Sequence, residues 1–157
     1  MENIVLARVD DRLIHGQVMT AWLQYTGGNH IVIVDNITAS DEFTKEIMEM
    51  AVPEGIGLDI FSKSEAVEGI SNLDRNKKII ILTKTPGVFL TLIESGITIE
   101  KIIIGGMGAN KNRKKLYKNI ATTEDEKEDI KKLIAKDIDV QIQVVPDEKA
   151  VGLEKIL

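Results

Sequence analysis

Lys78-Ile79-Ile80-Ile81-Leu82, running directly into Thr83-Lys84-Thr85-Pro86, is the stretch on which the fold turns. Four apolar residues in succession have no polar face, so a strand made of them must be covered on both sides. Thr85 is placed to cap a helix, and Pro86 suits its first position because the N–H it lacks would be unpaired there anyway. Phe89, Leu92 and Ile93 then fall on one buried face, and Gly96 ends the helix. A doubly buried strand feeding a capped helix is the repeating half of a parallel α/β sheet.

Working outward, the same pattern recurs. Strands are predicted at Ile4–Val9, Ile31–Val34, Leu58–Phe61, Ile102–Ile104 and Val140–Val145, the last stopped by Pro146. A helix is expected from near Gly16 to just before Gly27, with Val18, Ala21, Trp22 and Tyr25 inward. Ser40 can cap another with Phe43, Ile47 and Met50 inward, its N-terminus favoured by Asp41 and Glu42. Ser64 opens a short helix, and Thr123-Glu124-Asp125-Glu126 has the form of a capping box ahead of Ile130, Leu133 and Ile134. Strand and helix alternate roughly five times without linker or repeat, which predicts an α/β fold: an open, mainly parallel sheet with helices on both faces, a single domain over residues 1–157. Sites in such sheets lie at the carboxyl ends of the strands, where the loops starting at Asp10, Asp35, Thr83 and Gly105 would gather.

Composition narrows the function. In 157 residues the apolar share is 43% but the aromatic share 4%, as suits a buried sheet of Ile, Val and Leu. With 20 basic against 25 acidic residues and a net charge of −5, no overall field favours nucleic acid or an anionic membrane. Cysteine is absent, which removes disulfides, thiolate metal sites and thiol nucleophiles. Met1-Glu2-Asn3 is followed by only four apolar residues before Arg8, too short for a signal segment or a span, so the expected compartment is the cytoplasm.

The chemistry concentrates in Asp10-Asp11-Arg12-Leu13-Ile14-His15-Gly16, a loop between the first strand and the first helix. His15 stands where free backbone N–H groups, those of Gly16 and Gln17 among them, and the helix dipole favour an anion. Neutral imidazole is a good nucleophile near neutral pH and needs no separate base. Phosphoryl transfer spreads charge over oxygens and calls for fixed cations, and Arg8 and Arg12 flank the loop. Asp10 or Asp11 can hold the imidazole N–H and fix the attacking tautomer. A lone loop histidine is ordinarily just solvated; the Arg-x-Asp-Asp-Arg setting is what reverses that for His15, while His30 at a strand start keeps a structural role. Arg8, one residue from the strand's end, could equally be a plain ion-pair partner. Gly105-Gly106-Met107-Gly108 lacks the spacing of a dinucleotide fingerprint and makes a turn, and no Walker loop is present. Lys111-Asn112-Arg113-Lys114-Lys115 with Lys118 is a basic patch, read as a solvated loop, with a docking surface for an acidic or phosphorylated partner as the alternative.

The run Arg8-Val9-Asp10-Asp11-Arg12-Leu13-Ile14-His15-Gly16-Gln17-Val18 resembles the active-site signature of the IIB component of the mannose/fructose/sorbose family of bacterial sugar phosphotransferase systems. Asn36 to Met50, Leu82 to Pro86, Ile104 to Met107 and Val144 to Pro146 are similar to the family's later blocks, with Asn36 standing where an acidic residue is usual. The resemblance implies that residues 1–157 form a IIB phosphocarrier domain. His15 would accept phosphoryl from a phosphohistidine on a IIA protein or domain and pass it to a sugar bound by the membrane IIC and IID subunits during uptake. It implies Arg12 steadying the phosphoryl group, Asp10 orienting the site, Arg8, Asp11, Gly16 and Gln17 about the phosphate, no cofactor or metal, and a cytoplasmic protein held peripherally at the membrane's inner face. The rival is a receiver-like regulatory phospho-acceptor, suggested by the acidic pair, Asp35 and Thr83-Lys84. Against it, the third strand ends without a carboxylate and no lone lysine closes the strand at Ile104. A metal-dependent phosphatase or a plain binding module stands about level with that rival.

Overall fold

The structure, a computed structural model, describes residues 3–157; Met1 and Glu2 of the opening stretch lie outside the described residues. In chain order the elements are β1 (Ile4–Asp10), α1 (Gly16–Thr26), β2 (His30–Val34), α2 (Asn36–Ser40), α3 (Glu42–Ala51), β3 (Gly57–Phe61), α4 (Lys63–Ser71) and β4 (Ile79–Thr83). They continue with α5 (Pro86–Glu94), β5 (Lys101–Gly106), β6 (Lys114–Tyr117), β7 (Ile120–Thr122), α6 (Glu124–Ala135), β8 (Asp139–Ile142) and β9 (Val151–Gly152). Seven strands form one sheet in the order β3-β2-β4-β1-β5-β8-β9. All neighbours run parallel except β9, which pairs antiparallel with β8.

The period-2 alternation of each strand divides the core in two. Ala7, Val9, Val32, Val34, Ile79, Ile81, Ile102 and Ile104 face the layer made by α4, α5 and α6. Leu6, Ile31, Ile33, Ile80, Leu82 and Ile103 face α1 and α3. By the same alternation Arg8 and Asp10 follow Leu6 onto the α1 side, so two charged groups stand where the pattern would put core.

Several expectations needed correction. Asp41, not Ser40, caps α3, accepting from the Phe43 amide at 3.1 Å. The helix is rotated so that Met48 is its buried residue, while Phe43, Ile47 and Met50 face outward. Met48 is flanked on the sheet side by the half-buried Thr44 and Lys45, so the helix's main apolar stripe does not face the sheet. Ser62, not Ser64, opens α4 in a capping box with Glu65. In α1 Met19, Trp22 and Leu23 are buried, and Tyr25 is exposed. The last parallel strand stops at Ile142, because Val144 leaves the ladder and turns its carbonyl toward α1 and Arg8. The β6–β7 hairpin and β9 were not foreseen.

Candidate active site

β1 connects leftward to β2 through α1, whereas its neighbour β5 connects rightward through α6 to β8. Adjacent strands with diverging connections open a crevice at their carboxyl ends. Asp10 pairs in register with Gly106 at that point.

Arg8 and Asp10 have no exposed side-chain surface, and Arg8 Nη1 donates to Asp10 Oδ2 at 2.7 Å. Nη2 of Arg8 donates to the Val144 carbonyl at 3.0 Å, and its guanidinium lies 5.9 Å from the Trp22 ring centroid. Trp22 Nε1 donates to the same carbonyl at 2.9 Å, tying α1 to the end of β8. Room for the buried ions comes from the paired glycines: a Cβ at Gly105 would run into the Arg8 guanidinium, and one at Gly106 would stand 2.9 Å from Asp10 Oδ1. The Gly105-Gly106 pair is therefore less a turn than a gap cut for Arg8 and Asp10.

The loop beyond Asp10 is wound around that carboxylate. Oδ1 accepts from the Arg12 amide at 2.9 Å and from Arg12 Nε at 3.2 Å. Leu13, in the left-handed region at φ 59°, and Ile14 are buried in the α1-side core and pin the loop from below. His15 is the N-cap of α1, and Gly16 follows at φ 44°, a conformation that suits glycine. His15 Nε2 meets Asp10 Oδ2 at 2.9 Å, and the ring is 20% exposed. Burial pushes the Asp10 carboxyl up, but hydrogen bonds from the Arg12 side chain and backbone, the Arg8 charge and the His15 contact outweigh it and hold it below the ordinary carboxylate range. An ionised Asp10 only accepts, so Nε2 carries the hydrogen and the lone pair of the neutral ring falls on Nδ1. The open choice between Asp10 and Asp11 is thereby resolved to Asp10.

Arg12 stays 57% exposed beside this group. Arg8, expected at the phosphate, is wholly buried and can act only through Asp10. Asp11 is likewise turned elsewhere: it accepts from the Gly108 amide at 2.7 Å and from Arg113 Nη1 at 3.0 and 2.9 Å. Gly16 and Gln17 are exposed in the first turn of α1, directly after the His15 cap.

Arg113 is the residue that sequence reasoning missed. It is no part of a solvated patch: Nε and Nη2 hold both oxygens of Glu126 at 2.9 and 2.8 Å while Nη1 holds Asp11. The hydrogen bonds it donates to Glu126 and then to Asp11 raise its pKa over the opposing effect of burial. Glu126 also closes the capping box of α6, accepting from the Thr123 amide at 2.9 Å. One guanidinium thus joins the β1–α1 loop to the N-terminus of α6, leaving Lys111, Lys114, Lys115 and Lys118 exposed around the β6–β7 hairpin. Its only sequence signal was an arginine within a lysine run. His30 is structural, its Nε2 paired with Asp59 at 2.8 Å between β2 and β3. Asp35 caps α2 and pairs with Lys84 at 3.2 Å. Among the described residues, no cluster of three or more His, Asp or Glu is arranged to hold a metal, and no helix is long and apolar enough to cross a membrane.

Residues 4–157 match the family described as "PTS system sorbose subfamily IIB component". The chain belongs to that family. It is 32% identical to the N-acetylgalactosamine-specific phosphotransferase enzyme IIB component 2 of Escherichia coli, over the full length of both chains. It is 32% identical to the sorbose-specific EIIB component of Lacticaseibacillus casei, over 90% of this chain and 87% of that one. The crystal structure of the IIB domain of the Klebsiella pneumoniae sorbose permease superposes with a TM-score of 0.93 at 28% identity, covering 99% of this chain and 95% of that one. As a IIB component of the sorbose family the protein is a sugar phosphotransferase, and the receiver-like alternative falls. The fold expected from the sequence, a mainly parallel sheet between helices, is the one this chain shares with that IIB domain.

Proposed function

We propose that His15 is the phosphoryl carrier, charged from a phosphohistidine on IIA and discharged to a sugar presented by the membrane IIC and IID subunits. The observation that carries this reading is the Nε2 contact with Asp10 at 2.9 Å, which leaves Nδ1 as the nucleophile beside an exposed Arg12.

Nδ1 attacks phosphorus as the donor's P–N bond breaks and the donor ring recovers its electron pair. His15 then carries phosphoryl on Nδ1 and hydrogen on Nε2, so its ring becomes cationic, and the ionised Asp10 against Nε2 stabilises that charge. Arg12 and the backbone N–H groups at the start of α1 offset charge on the transferring oxygens. Arg8 and Asp11 serve as positioning residues, one holding Asp10 and the other bracing the loop through Arg113. Attack by a sugar hydroxyl reverses the step: the P–N bond breaks, its electron pair returns to Nδ1, and the hydroxyl proton leaves on the acceptor side. The protein works at the cytoplasmic face, and the choice of sugar rests with the membrane subunits.

The test is labelling from phosphoenolpyruvate through the two general phosphotransferase proteins and a IIA. Acid-labile, alkali-stable label that disappears in His15→Ala is expected. Hydroxylamine-labile label, or label surviving His15→Ala, would overturn the assignment, and phosphorus NMR of the labelled chain is expected to place the bond on Nδ1.

A further inference from the structure

Among the described residues five large apolar side chains stand exposed, and four belong to one short segment: Ile37 at 67%, Phe43 at 70%, Ile47 at 43% and Met50 at 85%. Phe43, Ile47 and Met50 are spaced i, i+4, i+7 and line one stripe of α3, which Ile37 of α2 extends toward the carboxyl edge of the sheet. One position back, Glu42, Glu46 and Glu49 repeat the same spacing, so an exposed acidic ridge runs alongside the apolar one. Lys45 is the segment's one lysine and lies 3.6 Å from Glu42. The helix is anchored to the sheet through Met48. Neither stripe contributes to that anchorage, and neither takes part in the site at His15.

We propose that this face of α2 and α3 docks the membrane-embedded subunits, through a cytoplasmic segment that is basic and carries apolar side chains. The inference rests on the IIB reading above, which requires such subunits as acceptors. Charge selects this occupant. Cytoplasmic segments flanking membrane spans carry an excess of Lys and Arg, which complements an acidic ridge beside an apolar stripe. Bare bilayer does not fit, because anionic headgroups repel the ridge of glutamates. A second copy does not fit, because a two-fold contact of α3 on α3 sets the same acidic ridges together. The phosphoryl donor is assigned instead to the basic surface of Arg12 and the hairpin lysines Lys111, Lys114, Lys115 and Lys118, which is opposite in sign to the ridge and so selects a different partner. Phe43 and Met50 suit a partner of this kind, an aromatic anchor beside a side chain that adapts its shape. With docking placed off the Asp10–Gly16 loop, a membrane-bound IIB keeps His15 open for recharging, and the tether raises the local concentration at the sugar site.

The test uses the full chain and inverted vesicles carrying IIC and IID subunits with which the wild-type chain phosphorylates sugar. Two variants, Phe43→Ser/Met50→Ser and Glu42→Lys/Glu46→Lys/Glu49→Lys, alter exposed positions and are checked for folding by circular dichroism. Each is expected to lower vesicle binding about 10-fold or more and to slow sugar phosphorylation at limiting IIB, while accepting label from IIA at the wild-type rate. The proposal is overturned if both variants bind the vesicles like wild type, if the loss appears in labelling from IIA, if wild type binds protein-free vesicles equally well, or if the variants dissociate a dimer seen by ultracentrifugation. His15→Ala separates the two readings: it is expected to bind the vesicles normally while remaining unlabelled, so an error in the carrier assignment leaves the docking result intact.

Discussion

At the scale of single residues, Asp10 is the hub, contacted by Arg8, Arg12 and His15 at once. Its substitution separates charge from shape. Asp10→Asn keeps an acceptor for Nε2–H but removes the negative charge that offsets the cationic phospho-ring, and it leaves two guanidinium groups uncompensated. Phosphoryl uptake from charged IIA is expected to fall about 100-fold by rapid quench, and a wild-type rate would refute the role given to Asp10. The two arginines should part company. Arg12→Ala, at an exposed position, is expected to slow uptake about 100-fold with almost no change in melting temperature. Arg8→Met, at a buried one, takes from the Asp10 carboxylate its fully buried cation and is expected to cost about 3 kcal/mol in urea unfolding. A stable Arg8→Met protein with slow transfer would instead mean that the buried pair acts in the chemistry alone.

At the scale of elements, Arg113 couples pieces that are far apart in sequence, the β1–α1 loop and the cap of α6. Arg113→Ala leaves Glu126 and Asp11 without their shared cation, with an expected loss of about 2–4 kcal/mol and faster amide exchange in β6 and β7 than in the central strands. Unchanged exchange in the hairpin would show that the clamp carries no load. This is also where legibility of the sequence changed. Strands such as Ile79–Thr83 and the capping box at Thr123 and Glu126 could be read because their signals are local: apolar runs, a cap, a proline. The hairpin escaped because Lys114-Lys115-Leu116-Tyr117 has neither an apolar run nor a turn signal, and its value lies in what it brings to Asp11. Likewise α3 presents its apolar stripe of Phe43, Ile47 and Met50 away from the sheet and packs through Met48, so periodicity alone points the helix the wrong way. His15, Arg12 and Asp10 were legible because one loop holds them all. Arg113 and the clearance made by Gly105 and Gly106 were not, because they act across long separations.

At the scale of the whole molecule, these ion clusters gather at the carboxyl edge of one sheet, so acid should reach function and stability together. Asp10 and Glu126 both titrate below their ordinary values of 3.8 and 4.5. For each, burial alone would raise the value, and the facing arginines with local hydrogen bonds override it. A depressed carboxyl contributes stability that is fully present above its unfolded value and is lost as pH falls through its folded one. Asp129 acts in the opposite sense: burial raises it, so its contribution is present below its ordinary 3.8 and lost as pH rises through the folded value. It offsets part of the acid limb without reversing it, since Asp10 and Glu126 oppose it and the exposed Asp41 and Glu65, each held by hydrogen bonds at a helix cap, are depressed as well. Stability measured by urea is therefore expected to be nearly flat above about pH 5 and to fall below about pH 4, with up to about 1.4 kcal/mol per pH unit from each of Asp10 and Glu126. In Glu126→Gln that limb should become shallower while stability at neutral pH drops, because the amide cannot ionise to match Arg113. An acid limb as steep in Glu126→Gln as in the wild type would place the responsible protons elsewhere in the molecule.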